Sequence, residues 1–301
     1  MIDYSALRVL VAVVQSGSFE KAAAALSVTP SAISQRIKQL EERVGAALVV
    51  RGMPCVATEM GDQLCRHMEN VGILEHDLFK GVPSLADHGD QKERVTLRIA
   101  TNADSLGTWF LEAISEFSKS SSYLLNVSVE DEEYTAEWLR QGKVIAAVSG
   151  SEKPISGCRR FSLGALRYHA TASPEFVARY FPEGVTLEAV ATAPALTFNQ
   201  KDRLQSEWVH RSFGAELNLP NHWVPSTQSF VDAALMSMAW GMNPTYLVEE
   251  HLSAGRLVEL IPGKVLDIPL YWHINRVAAD RLATLTRKVT EASKRNLVQT
   301  E

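Results

Sequence analysis

The sequence predicts an α+β protein of several domains: an N-terminal winged helix-turn-helix, a long linker helix, and two α/β lobes. Three observations predict it. Residues 18–44 (SFEKAAAALSVTPSAISQRIKQLEERV) read as two short helices about a tight turn. Leu64, Val71 and Leu78 then recur every seven residues, a heptad seam. From Val95 onward, short alternating strands give way to helices in a repeating rhythm. A length of 301 residues suits two or three domains.

Leu7, Leu10, Val11 and Val14 make a first helix. Phe19, Ala22, Ala23 and Leu26 share one face of a second, with Ser18 as its N-cap. Ser27-Val28 is the turn. Thr29 before Pro30 is the N-cap and first-turn proline pattern of a third helix. Its stripe Ile33, Ile37, Leu40 and Val44 is expected to be buried. The opposite side shows Ser31, Gln35, Lys38 and Gln39, flanked by Ser34 and Arg36. Hydroxyls, amides and cations without a large apolar group can bind phosphates and read base edges. The bland alternative is an amphipathic helix pair with a solvated face. The next segment favours DNA. Ala46 to Thr58 reads as a strand, a turn at Gly52 to Pro54, and a return, with Arg51 at the edge of this wing. An arginine there suits a minor groove.

Net charge is −5, yet residues 1–60 hold six Lys/Arg against five acids. One copy offers few cations to phosphates, which favours DNA binding as a dimer or larger. The helix from Thr58 to about Gly81 supplies the means. Leu64, Met68, Val71 and Leu78 are its expected dimerisation residues, with Val82 extending the seam. The alternative is a helix that packs on its own domain. Pro83 ends it, and the polar run 84–94 reads as a hinge. The expected domains are therefore 1–58, 59–87 and 88–301.

In the last of these, Val95, Leu97 and Ile99 alternate as a strand. A helix with Trp109, Leu111, Ile114 and Phe117 follows, then a strand from Tyr123 to Val129, a helix with Trp138 and Leu139, and a strand from Val144 to Val148. That order predicts a doubly wound parallel sheet. A second lobe follows, with strands at Leu166 to Ala172, Ala195 to Phe198 and His222 to Val224, and helices near Pro174 to Tyr180, after Lys201 and after Ser226. The strand Ile268 to His273 and a helix from Ala279 to about Asn296 return to the first lobe. Lobe I is expected at about 92–164 and 268–301, lobe II at about 165–267.

Ligands of open α/β sheets bind beyond the carboxyl ends of strands. Those ends present Asn102, Asp104 and Ser105, then Glu130 and Asp131, then Ser149, and in the second lobe Asn199, Ser226 and Thr227. Helix starts at Ser105 and Thr227 suit a carboxylate. Asp104 and Asp131 suit an ammonium or guanidinium. The set Asn102, Asp104, Ser105, Asp131, Ser149 and Thr227 thus fits a zwitterion with an extra positive charge, a basic amino acid.

GxSxG, HExxH, P-loop and GxGxxG motifs are all absent, and the eight histidines show no i, i+4 pairing. No catalytic residue, metal ligand or cofactor is expected. Cys55, Cys65 and Cys158 are too widely spaced for a disulfide framework, and a redox role for Cys158 is a variant reading. No run has the length of a membrane span and the start lacks a signal peptide's pattern, which predicts a cytoplasmic protein without a membrane partner. Two rival classes remain: an architectural DNA-binding protein without ligand response, and a cytoplasmic amino-acid enzyme with an accessory helical domain.

The run FEKAAAALSVTPSAISQRIKQLEERVG resembles the helix-turn-helix of LysR-type transcriptional regulators, and the resemblance extends over essentially the whole chain. SAISQRIKQLE, LVVRGMPCVATEMG, NADSLGTWF, VEDE and the late YWH are similar to the ArgP/LysG (IciA) subgroup. The resemblance implies lobes of the periplasmic-binding-protein type. It implies contacts to double-stranded DNA from Thr29, Pro30, Ser31, Ser34, Gln35, Arg36 and Arg51, to which Lys38 is added from the helix face. It implies a homodimer or homotetramer, RNA polymerase as a partner, lysine or arginine as effector, and control of basic amino-acid export. Two places depart from the pattern. Pro54 stands where the wider family has a second wing arginine, and SMAWGMNPTY differs from the subgroup's usual run.

Overall fold

A computed structural model describes residues 2–82, 95–129 and 132–299. The expected hinge 84–94, the domain and lobe boundaries near 87 and 92, Pro83, and Glu130 and Asp131 lie outside the described residues. The chain divides into two compact units. One holds the residues up to Leu97 with Ser122–Leu124, the other Arg98–Ser121 with Leu125 onward.

The first unit opens with α1 (Tyr4–Ser16), α2 (Phe19–Ala25) and α3 (Pro30–Val44). Their starts are fixed by side-chain oxygens that accept from otherwise unpaired helical N–H groups: Asp3 for α1, Ser18 for α2 and Thr29 for α3. Leu7, Leu10, Ala22, Ala23, Ile33, Ile37 and Leu40 bury together as one core. Val44 departs from expectation and is 36% exposed. It occupies the last turn of α3, which ends at Gly45 with φ 78°. The wing consists of β1 (Val49–Val50) and β2 (Val56–Ala57), paired antiparallel.

Helix α4 (Glu59–Gly81) follows, with Thr58 as its N-cap. Gly61 lies so close to the Leu48 carbonyl that a Cβ there would collide with it, so this contact between helix and wing requires glycine. Cys65 is buried in the three-helix core, and Leu64 and Met68 pack against that same core. The seam is therefore not uniform. Its first two members cover their own domain, while Val71 is half-buried and Leu78 is 51% exposed.

The chain then runs through β3 (Thr96–Thr101), α5 (Ala103–Ser105), a π-helical stretch Leu106–Phe110, α6 (Leu111–Ser120), β4 (Leu124–Val129), α7 (Glu132–Arg140) and β5 (Ala146–Ser149), of which only Thr96, Leu97 and Leu124 fall in the first unit. Then come β6 (Cys158–Ala172), α8 (Pro174–Tyr180), α9 (Leu187–Thr192), β7 (Ala195–Thr197), α10 (Leu204–Phe213), β8 (Asn221–Trp223) and α11 (Thr227–Leu235). The chain closes with β9 (Gly241–Pro244), α12 (Thr245–Ser253), β10 (Val258–Glu259), β11 (Val265–Asn275), α13 (Arg276–Ala279) and α14 (Ala283–Asn296).

The main sheet has the order β10-β6-β11-β5-β3-β4, with β9 on β6. It is mixed, not parallel throughout. β3 and β5 run parallel, but β6 and β11 pair antiparallel from Val265↔His169 to Asn275↔Cys158, and β5 is antiparallel to β11. β6 begins at Cys158, before the expected Leu166, because β11, along its whole length, pairs with it out to Asn275↔Cys158. β7 and β8 form a separate parallel pair. Leu111 is 59% exposed, whereas Trp109, Phe110, Ile114 and Phe117 are buried. The π turn inserts an extra residue per turn and shifts the helical phase there, rotating Leu111 outward.

Helix α14 packs on α6. Lys288 pairs with Glu116 at 2.9 Å, and Arg295 pairs with Glu112 and Glu116 at 2.8 and 3.1 Å. No helix among the described residues is long and apolar enough to cross a membrane.

Candidate nucleic-acid interface and ligand cleft

In the first unit, α3 buries Ile33, Ile37 and Leu40. Geometry then forces the intervening positions outward. Thr29, Pro30, Ser31, Gln35, Arg36 and Lys38 are exposed and Ser34 is half-buried. Thr29 Oγ1 caps the Ala32 N–H at 3.3 Å and lies 3.0 Å from Ser31 Oγ. Lys38 sits 3.8 Å from Glu42, an exposed pair that competes weakly with a phosphate. Gln35 and Arg36 make no internal hydrogen bond or ion pair among the described residues, so their donors face solvent.

Arg51 projects from the end of β1. Its guanidinium lies over the Phe19 ring at 5.1 Å, which ties the wing cation to the start of α2. A second tie was not read from the sequence. Glu41 Oε1 accepts from the backbone N–H groups of Leu48 at 2.8 Å and Val49 at 3.4 Å, fastening α3 to the wing. A carboxylate in an otherwise polar helix face carries no signal of that contact.

In the second unit, β3 ends where Asn102 caps the next helix, its Oδ1 accepting from the Ser105 N–H at 2.7 Å. Asp104 follows. Its Oδ1 accepts from the Thr227 hydroxyl and its Oδ2 from the Tyr168 hydroxyl, both at 2.6 Å. The first turn after β3, the strand β6 and the start of α11 thus meet on one carboxylate. Burial pushes the Asp104 pKa up, against the two hydroxyl bonds, which favour the charged form, and the negative Asp202 pushes in the same direction as burial. Asp202 is itself held by the N–H groups of Phe198 and Leu204 at 2.9 and 3.0 Å. Two acidic groups therefore lie close enough to act on each other here.

Ser105 and Thr101 are fully buried, and their hydroxyls have no hydrogen-bond partner. Buried polar groups are nearly always paired, so two unpaired hydroxyls within three residues of Asp104 in the chain mark a polar site. Ser149 is buried at the end of β5, where its Oγ accepts from the Ser151 N–H at 3.0 Å. Since β5 pairs parallel with β3, Ser149 and Asn102 share one end of the sheet.

Of the six expected effector residues, Asp104 and Thr227 touch, Asn102 and Ser105 share a cap, and Ser149 sits on the neighbouring strand. Asp131 lies outside the described residues. The expected division of labour, Asp104 for a cation and Thr227 for a carboxylate, meets a complication: the Thr227 hydroxyl is already given to Asp104. Its helix-start N–H groups remain the part suited to an anion. Tyr168, Thr101 and Asp202 were missed. Tyr168 carries a hydroxyl in a run of buried strand residues, which was the available signal. Asp202 follows β7 and precedes a helix, the same pattern that singled out Asp104. Among the described residues, no group of three His, Cys, Asp or Glu is placed to hold a metal ion.

Residues 4–62 match the bacterial regulatory helix-turn-helix protein model of the lysR family, and residues 90–295 match the LysR substrate binding domain. The chain is 43% identical over 299 residues to the HTH-type transcriptional regulator ArgP of Pseudomonas aeruginosa strain UCBPP-PA14, covering 99% of this chain and 98% of that one. The C-terminal domains of a LysR family protein from Agrobacterium tumefaciens are 58% identical, with a TM-score of 0.68, covering 69% of this chain and all of that one. Full-length LysG from Corynebacterium glutamicum, solved with bound effector Arg, is 34% identical with a TM-score of 0.67, covering 99% of this chain and all of that one. The chain belongs to the LysR family of bacterial transcriptional regulators.

Proposed function

We propose that this regulator senses a basic amino acid, arginine or lysine, and controls a basic amino-acid exporter. The observation that carries the reading is the buried Asp104 carboxylate, met by Thr227 and Tyr168 from elements 123 and 64 residues away. A cationic side chain is the ligand chemistry that compensates a buried carboxylate with a second acid nearby. The bound Arg of the LysG relative supports it. Asn102, Ser105, Ser149 and the N–H groups at Thr227 then serve the α-amino-acid end, with Asp131 assisting at the cation.

In this reading residues 1–58 read DNA through Thr29, Pro30, Ser31, Ser34, Gln35, Arg36, Lys38 and Arg51. Residues 59–87 join two copies through Val71 and Leu78, and 88–301 respond to ligand as a homodimer or homotetramer in the cytoplasm, acting with RNA polymerase and without a catalytic role. Effector that prefers one lobe arrangement shifts the population of head placements, and so which half-sites are held. The test is fluorescence anisotropy of the full chain on operator DNA with arginine, lysine, leucine and glutamate. A change in affinity or protected length with the two basic amino acids alone is expected. Identical behaviour with all four would instead favour an architectural DNA-binding protein.

A further inference from the structure

The wing carries an exposed apolar edge. Val50 and Val56 pair across the hairpin, and both are half exposed. Met53, in the turn between them, is fully exposed. One exposed apolar side chain needs no explanation, but here three share one hairpin with the Arg51 cation.

The turn that presents Met53 is fastened on both sides. The Cys55 N–H donates to the Gly17 carbonyl at 2.8 Å, and the Cys55 side chain is buried in the three-helix core. Its thiol donates to the Gly52 carbonyl at 3.3 Å, which closes the turn. Pro54 presses on the end of α1, where a Cβ on Gly17 would stand 2.8 Å from the Pro54 Cβ. Ahead of the turn, the Arg51 guanidinium lies over the Phe19 ring. The backbone is therefore held before and after Met53 while its side chain reaches into solvent. A fixed turn loses little freedom on binding, so the contact that its tip makes is not offset by ordering the loop.

We propose that Met53 contacts DNA directly, entering the minor groove as an apolar probe two residues beyond Arg51. The proposal rests on the reading of α3 and Arg51 as the DNA face, with which the wing tip is continuous. The minor-groove floor of an A·T pair lacks the guanine amino group, so it admits an apolar side chain that a G·C pair obstructs. Methionine is unbranched and adaptable, which suits a narrow slot, and apolar side chains of this kind seat between minor-groove base steps. The two residues then divide the work. Arg51 supplies a contact that salt weakens, whereas Met53 displaces no counterion and selects A·T at its own position.

The test is fluorescence anisotropy of the full chain on a duplex that the wild type selects from a random pool. Wild type, Met53→Ala, Met53→Leu and Arg51→Ala are titrated at several salt concentrations, with thermal denaturation as the check of fold. Met53→Ala is expected to bind about fivefold more weakly with an unchanged salt slope, and Met53→Leu to stay within about twofold of wild type. Arg51→Ala is expected to lower the slope by about one. Replacing adenine by 2,6-diaminopurine adds an amino group to the minor groove alone. At one position this should weaken the wild type about fivefold and leave Met53→Ala nearly unaffected. Unchanged affinity of Met53→Ala beside a weakened Arg51→Ala would overturn the proposal and assign the apolar edge to a protein partner. A lowered salt slope in Met53→Ala would also overturn it, since the tip would then act only by placing Arg51. Unchanged affinity in both variants would remove the DNA face itself, and the proposal with it.

Discussion

The Thr227 hydroxyl donates to Asp104 Oδ1 at 2.6 Å, joining the first turn after β3 to the start of α11. Burial raises the Asp104 pKa above its ordinary 3.8. The folded protein therefore binds that proton more tightly than the unfolded chain does. The resulting stability is complete below the ordinary carboxyl value and is lost as pH rises through the raised one. At neutral pH the ionised carboxylate is a cost. Asp104→Asn keeps the shape and removes the charge, so it should raise Tm at pH 7.5, by about 2–4 °C for each kcal/mol relieved. The gain should shrink toward pH 4. Thermal denaturation at the two pH values checks this, and a lower Tm at both would contradict it.

On α3, Gln35 faces solvent with no internal partner. Gln35→Ala should relax base preference at one position by about 1–3 kcal/mol, whereas Arg36→Ala should weaken binding evenly and reduce the salt slope by about one. Titrations of specific and random duplexes at several salt concentrations separate the two. Equal losses on both duplexes for Gln35→Ala would make it a phosphate contact.

The linker helix divides at its middle. Leu78 is 51% exposed, while Leu64 packs against the three-helix core. Leu78→Glu should halve the mass in solution and leave Tm nearly unchanged. Leu64→Glu should instead lower Tm, because it buries a charge in an apolar core. Light scattering with thermal denaturation reads both, and an undiminished mass for Leu78→Glu would remove the seam.

Gly61 touches the Leu48 carbonyl with no room for a Cβ. Gly61→Ala should cost about 1–3 kcal/mol by forcing the wing away from α4. Denaturant unfolding of the full chain measures it. A loss below the gain expected from replacing a helical glycine would mean that the wing yields freely.

Much of the first unit was legible because its signals are local. Ser18, Thr29 and Thr58 cap the helices they precede, and the stripe of Ile33, Ile37 and Leu40 lies within one helix. The second unit was legible to the level of alternating elements. Helix α12 was missed because Pro244 precedes it and no side chain caps it. The start of β6 was missed because Arg159 and Arg160 interrupt the apolar pattern with exposed charges. Asp104 could be picked out as a strand-end acid next to a helix start. Its partners could not, since pairing with Tyr168 and Thr227 is set by the crossing of β6 and the seating of α11, which no local spacing encodes. Whether Leu64 faces its own core or another chain was likewise undecidable from a heptad alone.

In the proposed function Asp104 holds the cationic end of a basic amino acid. Calorimetry of the full chain with L-arginine and L-lysine tests it most directly, comparing wild type with Asp104→Ala. Cutting one partner of a buried charged pair leaves the other unpaired, a loss of about 2–5 kcal/mol, or at least thirtyfold in affinity. One basic amino acid per wild-type chain is expected, with loss of that binding in Asp104→Ala and with DNA affinity and mass unchanged. Undiminished binding of arginine and lysine by Asp104→Ala would contradict it.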